Sequence, residues 1–223
     1  MQNLYNFIKN RPYWHYFSMD GVFMKKLFKL TICLALILAI LGFVDLWRDK
    51  QTLKEDVLRL HVVGNSDSAQ DQQVKLQVKD AIVAYLQPIM DTFPTKKEAM
   101  EYIQNNLHTL QELSNRVLES LGVKERAKVA LQPMSFDTRD YDTFSLPAGV
   151  YDALRVEIGE AEGKNWWCVV FPSLCLPATS ADFRDTAVSS GFSQNLTDTL
   201  SGNGYNLRFY LLDCIGKLEN LFY

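Results

Sequence analysis

The sequence predicts an α+β domain behind a hydrophobic helix, with a two-helix hairpin and a C-terminal helix packed on a small, largely antiparallel sheet. Three observations lead there. An uncharged stretch at residues 30–44 follows a group of lysines; apolar residues recur at helical spacing over 69–121 and 207–221; strand-like patterns occupy 57–63 and parts of 127–171. The order β-α-α-β-β-β-α groups the long helices between strands, which separates it from an alternating α/β pattern.

The hydrophobic stretch, LTICLALILAILGFV, is preceded by Lys25, Lys26 and Lys29 and followed by Asp45, Arg48, Asp49 and Lys50. That is a basic region leading into an apolar one, as in an export signal. Its roughly 15 residues extend toward a membrane span of about 20 when Leu27, Phe28, Leu46 and Trp47 are added. No small-x-small cleavage site follows, so the segment reads equally as a cleaved signal peptide and as an uncleaved anchor. A buried core helix of this length would usually keep one polar face. The lysines ahead of it predict a cytoplasmic N-terminus and an exported body, either secreted or anchored through residues 27–47. Residues 1–23 are rich in aromatics without a period, and Met24 opens a normal signal start, MKKLFKL. The expected organisation is an upstream extension (1–23) outside the native product, a signal peptide or anchor (24–47) and an extracytoplasmic domain (48–223).

From the 23 basic and 26 acidic residues of the whole chain, Lys9, Arg11, Lys25, Lys26, Lys29, Asp20 and Asp45 precede Arg48. The body therefore keeps 18 basic and 24 acidic residues, a balance of −6. That argues against nucleic acid or an anionic lipid surface as its main partner. Cys168 and Cys175 are the nearest cysteine pair; an exported domain holds such a pair either as a disulfide or as buried free thiols.

Within the body, VLRLHVV at 57–63 sets Leu58, Leu60 and Val62 against Val57, Arg59, His61 and Val63, an apolar face against a mixed one, and reads as the first strand. GNSDSAQD is a turn in which Ser68 and Asp71 have capping spacing. The first helix begins near Ala69 and carries Val74, Val78, Ile82, Tyr85 and Ile89. Pro88 and Pro94 bracket a break. Thr95 and Glu98 repeat the capping pattern, and one long second helix runs through Ala99, Ile103, Leu107, Leu110, Val117 and Leu121 to a stop at Gly122. Strands are expected at 127–134, 151–158 and 166–171, the last two forming a hairpin. Residues 178–204, full of Ser, Thr, Asp, Asn and Gly, read as a surface excursion. The final helix lays Leu207, Tyr210, Leu211, Cys214, Ile215, Leu218 and Leu221 on one stripe, the face expected to pack.

The chemistry-bearing residues cluster around the first strand and its turn: Arg59, His61, Asn65, Ser66 and Asp67. A strand delivering such groups to a helix N-terminus is a common way to build a site. Asn65, Ser66 and Asp67 are equally turn and capping residues. A cysteine hydrolase would pair Cys168 with His61, oriented by Asp67 or Asn65, yet Cys168 lies inside an apolar strand and not at a helix start where its thiol would be activated. No paired metal-ligand spacing, phosphate-cradling glycine loop or G-x-S-x-G elbow occurs, and neither metal nor cofactor is expected. Trp166 and Trp167 point to opposite faces of their strand, one toward the core and the other free to anchor a partner.

Three stretches, LRLHVVGNSDSAQDQQVKLQVKDAIVAYL (58–86), NWWCVVFPSLC (165–175) and RFYLLDCIGKL (208–218), closely resemble the stage II sporulation protein R family of endospore-forming bacteria. They frame nearly the whole exported domain. This chain has Gly64 where the family usually reads Ala, Ser173 where Pro is common, and Cys214 where a bulkier apolar residue is usual. The resemblance implies a signalling protein made in the forespore and exported into the space between the forespore and mother-cell membranes. There it would activate a membrane-embedded aspartic protease, stage II sporulation protein GA, which processes the sigma-E precursor. It brings no catalytic set with it. Arg59, His61, Asn65, Asp67, Trp166 and Trp167 are accordingly expected to form a partner-facing or fold-specifying patch.

Overall fold

The computed structural model describes residues 21–174, 180–202 and 206–223. The chain divides into two compact units, residues 1–45 and 46–223. Helix α1, Gly21–Asp56, runs through the boundary. Its stretch Phe23–Asp56 is long and apolar enough to cross a membrane, with a mean hydropathy of 2.6 in its most apolar window and none of that window buried. The upstream extension proposed for residues 1–23 falls almost wholly outside the described residues.

The second unit opens with the last turns of α1. Leu46 and Leu53 are buried there, as is Val57 just beyond the helix. Strand β1, Leu58–Val63, follows, and then helix α2, Ala69–Met90, which Ser68 caps by accepting from the Asp71 N–H at 3.1 Å. Pro88 stands inside α2 and does not end it; so close to the C-terminus it removes only one late helical hydrogen bond. The expected long second helix is two helices, α3 (Lys96–Asn105) and α4 (Leu107–Ser120). They part at Asn106, whose side-chain amide donates to the Tyr102 carbonyl at 2.8 Å and takes over from the regular backbone ladder. The buried stripe is re-phased accordingly, through Ala99 and Ile103 on α3 and Leu110, Ser114 and Leu118 on α4.

Strands β2 (Ala127–Phe136), β3 (Arg139–Asp140), β4 (Ser145–Leu146), β5 (Gly149–Ile158) and β6 (Asn165–Phe171) complete the sheets. β3 and β4 form a separate two-stranded ribbon, and the main sheet has the order β2-β5-β1-β6. β5 and β6 therefore do not form the expected hairpin. β1 lies between them, parallel to β5 and antiparallel to β6. β2 pairs antiparallel with β5 along its whole length.

Each face of the sheet carries its own core. Leu58, Leu60, Val62, Leu154 and Val156 pack with α2, α3 and α4. On the other face Tyr151, Ala153 and Val169 meet the end of α1 and helices α5 (Ser180–Ser189), α6 (Gln194–Ser201) and α7 (Leu207–Asn220). Residues 178–204 are thus not a surface excursion where they are described. Phe183 and Ala187 on α5, with Leu196 and Leu200 on α6, supply two buried i,i+4 pairs. The C-terminal helix packs as expected in location but through a different face: Phe209, Leu212, Asp213 and Gly216 are buried, while Leu207, Tyr210, Leu211, Leu218 and Leu221 are exposed.

Candidate functional site

β1 is covered on both sides, so its mixed face is not solvent-facing, and all six of its residues are buried. Leu58, Leu60 and Val62 enter the first core. Arg59 and His61 turn to the opposite side and meet Phe136, Tyr151 and Trp167. Arg59 is 0% exposed, the largest fully buried side chain among the described residues. Its Nη2 donates to the Tyr141 hydroxyl at 3.0 Å, and its guanidinium lies 3.9 Å from the centre of the Phe136 ring. Nε and Nη1 are buried without a hydrogen-bond partner.

His61 Nε2 lies 2.8 Å from Asn165 Oδ1, so the ring donates there and Nδ1 is left as a buried acceptor without a partner. The imidazole stacks on Trp167, with centroids 5.7 Å apart at 23°. Arg139, at the start of the β3–β4 ribbon, lies 3.7 Å from the centre of the same indole. Burial draws Arg139 below the usual arginine range, and the nearby Arg59 adds to that pull. Together these groups and Asp137 line a cavity of about 190 Å³. A larger cleft of about 600 Å³ lies between α5 and α6, but its Arg184 is already paired with Asp198 at 3.0 Å.

The structure divides the predicted patch. Arg59, His61 and Trp167 meet at the cavity; Trp166 faces the first core, beneath the Lys79 ammonium at 4.9 Å. Asn65 and Asp67 serve the turn. Asn65 Oδ1 accepts from the Glu160 N–H at 3.0 Å, and Asp67 Oδ1 from the Lys164 N–H at 2.7 Å, clipping the turn after β1 onto the β5–β6 connection. Gly159 adopts φ +60°, and a Cβ there would sit 2.2 Å from Asn65 Oδ1. Asn65 also donates to Asp71 at 3.0 Å, and Ser66 donates to the same carboxylate oxygen at 2.5 Å. These two hydrogen bonds hold the Asp71 carboxyl below its ordinary range. Asp67→Ala is expected to cost about 1–2 kcal/mol of stability through the lost hydrogen bond to Lys164 N–H. Chemical denaturation would measure it.

Cys168 pairs in register with Leu60, is 2% exposed and is disulfide-bonded. Cys175 lies outside the described residues, so the expected pairing with it is not described. Cys168 and His61 project to opposite faces of the sheet, and the hydrolase pair considered from the sequence is not assembled. No group of three metal-ligating side chains occurs among the described residues. Sequence reasoning missed Arg139 and Asn165. Asn165 stands directly across from Val63 in the register that a correct β1–β6 pairing would have provided.

A family model described as stage II sporulation protein R matches residues 54–181. The chain belongs to the stage II sporulation protein R family. It is also 32% identical over 123 residues to stage II sporulation protein R of Bacillus subtilis (strain 168), an alignment covering 55% of each chain. The chain thus matches about half the length of that curated relative. No solved structure matches it. Every cavity residue named above falls inside the segment matched by the stage II sporulation protein R model, whereas α6 and α7 lie beyond it.

Burial lowers the pKa of His61 in this family member, the Asn165 hydrogen bond partly opposes that, and Arg155 and Arg59 reinforce it, with Glu157 opposing. The folded protein therefore holds fewer protons at this site than the unfolded chain, whose histidine titrates near 6.5. The corresponding stability is complete above that value and is lost as pH falls from about 6.5 toward the folded pKa. His61→Asn is expected to flatten that part of the stability profile, measured by denaturant unfolding between pH 7 and 5.

Proposed function

We propose that the chain is an exported sporulation signal. It is made in the forespore, crosses the forespore membrane and activates a membrane-embedded aspartic protease of the mother cell, stage II sporulation protein GA, which processes the sigma-E precursor. The observation that carries this reading is the family match over residues 54–181. The apolar stretch of α1, ahead of a compact unit in the sequence, supports the export step.

The chain acts as a ligand: it binds the active form of its partner more tightly than the inactive one and shifts that equilibrium. The separation of Cys168 from His61 supports this over a thiol hydrolase. The partner-facing surface is the cavity mouth formed by Trp167, Arg139 and Asn165, with the buried Arg59 and His61 behind it, and Asn65 and Asp67 hold the neighbouring turn in place.

The test is reconstitution of the full chain in proteoliposomes with the protease and the sigma-E precursor. Cleavage that depends on the chain supports the proposal, and cleavage at the same rate without it sinks it. Because Cys168 is held in a disulfide, redox state discriminates the classes: activation that persists under oxidising conditions supports a ligand, and activity that appears only on reduction would mean that the thiol performs chemistry.

A further inference from the structure

We propose that the cavity at Arg59 is a carboxylate-binding pocket. Arg59 is wholly buried with two N–H-bearing nitrogens unpaired, and among the described residues no carboxylate forms an ion pair with it or with Arg139. A buried guanidinium in that condition is costly unless something else supplies the counter-charge.

The chemistry of the walls selects the class. Phe136 covers one guanidinium and Trp167 the other, each ring centre within 4 Å of its cation, at 3.9 and 3.7 Å. With a ring over each guanidinium, the half-buried Arg139 presents its in-plane donors to the cavity, where a flat, two-oxygen acceptor meets them in parallel, and the wholly buried Arg59 stands behind as an uncompensated positive charge. With His61 neutral, the lining carries two cations and one carboxylate, Asp137, so one added negative charge balances it and a dianionic phosphate would overshoot. Met134 and Trp167 offer apolar wall for the methylenes behind a carboxylate. A volume of about 190 Å³ holds such a group with part of its side chain, and exceeds the roughly 30 Å³ share of one bridging water several-fold. The shared chemistry fits an acidic side chain of a protein segment and a free small carboxylate alike. The inference rests on the signalling reading only for a partner as the source.

The test titrates the full ¹⁵N-labelled chain in detergent micelles and follows the Arg59 and Arg139 side-chain Nε–H resonances. The probes are N-acetyl-glutamate amide, its glutamine isostere, glutarate, a short acidic peptide and inorganic phosphate. Saturable shifts with the glutamate probe, at least tenfold weaker with the glutamine isostere, are expected. Arg139→Gln should weaken binding at least tenfold, and Asp137→Asn, which leaves both guanidinium groups in place, should strengthen it. A peptide binding tenfold tighter than glutarate identifies a macromolecular source, and equal binding a small-molecule one; both outcomes support the pocket. Equal binding of the glutamine isostere, tighter binding of phosphate, no saturation by any carboxylate (a cavity holding water only), or indifference to both substitutions overturns it. Because the protease is absent, this result and the reconstitution can fail separately.

Discussion

Gly216→Ala is expected to destabilise the folded body by about 3 kcal/mol, by forcing an extra carbon into a closed backbone contact. A Cβ at this position would lie 1.6 Å from the Ala148 carbonyl oxygen and 2.3 Å from its carbon. The obstacle is backbone and has no rotamer to escape into. The same turn of chain is held by Asp213, which accepts from the Ala148 N–H at 2.8 Å and from the Thr138 hydroxyl, and which pairs with Lys217 at 2.7 Å. Burial works to raise the Asp213 pKa, but hydrogen bonds from Lys217, Thr138 and Ala148 outweigh it and leave the carboxyl below its ordinary value. Moving α7 aside would loosen the two bonds that leave the helix, to Ala148 and Thr138, while the Lys217 pair lies within α7 itself. In an ordinary helix the substitution should stabilise by about 1 kcal/mol, so the sign alone decides, and a guanidinium midpoint that rises would refute the packing.

Leu53→Ala is expected to cost about 2–5 kcal/mol, although the residue belongs to the helix that carries the long apolar stretch. Leu53 is 0% exposed in the second core, beside Leu46 and Val57. Leu38, in the same helix, is 60% exposed, and Leu38→Ala should change the stability of the body by less than about 0.5 kcal/mol. The pair is read by unfolding both full-length variants in the same detergent. Equal effects would mean that residues 46–56 are not part of the folded body. The contrast also bears on processing. A cut C-terminal to Leu46 would remove residues the core uses, so any cleavage that preserves the domain falls before it.

What the sequence made legible was local. Ser68 and Thr95 cap where their spacing with Asp71 and Glu98 indicates, because a cap involves a few adjacent residues. The β5–β6 hairpin was misread because β1, nearly a hundred residues upstream, takes the position between those strands, and nothing near either strand announces it. The stripe on α7 was assigned to the wrong face because burial there is driven by Gly216 and Asp213 meeting backbone, which hydrophobicity does not register. Helices α5 and α6 went unseen because a handful of apolar side chains among Ser, Thr, Asp and Asn suffices to cover a surface already apolar. For the site, β1 gave Arg59 and His61 as polar groups in an apolar strand. Arg139 lies in a two-residue strand with no period, and only the folded ribbon brings it to Trp167.

The end of α1 is bolted from both sides of the sheet. Lys96 of α3 donates to the Lys54 carbonyl at 2.5 Å and pairs with Asp152 at 2.7 Å, while Glu219 of α7 pairs with Lys50 at 3.0 Å and with Lys54 at 3.7 Å. Lys50 and Glu219 stand 169 residues apart in the sequence, with strands β1 to β6 between them. The bond between them closes a loop of chain that contains every one of those strands. Until α7 docks, the buried Lys50 ammonium lacks that carboxylate, so the end of α1 is completed only by a helix on the far side of the whole strand set in sequence.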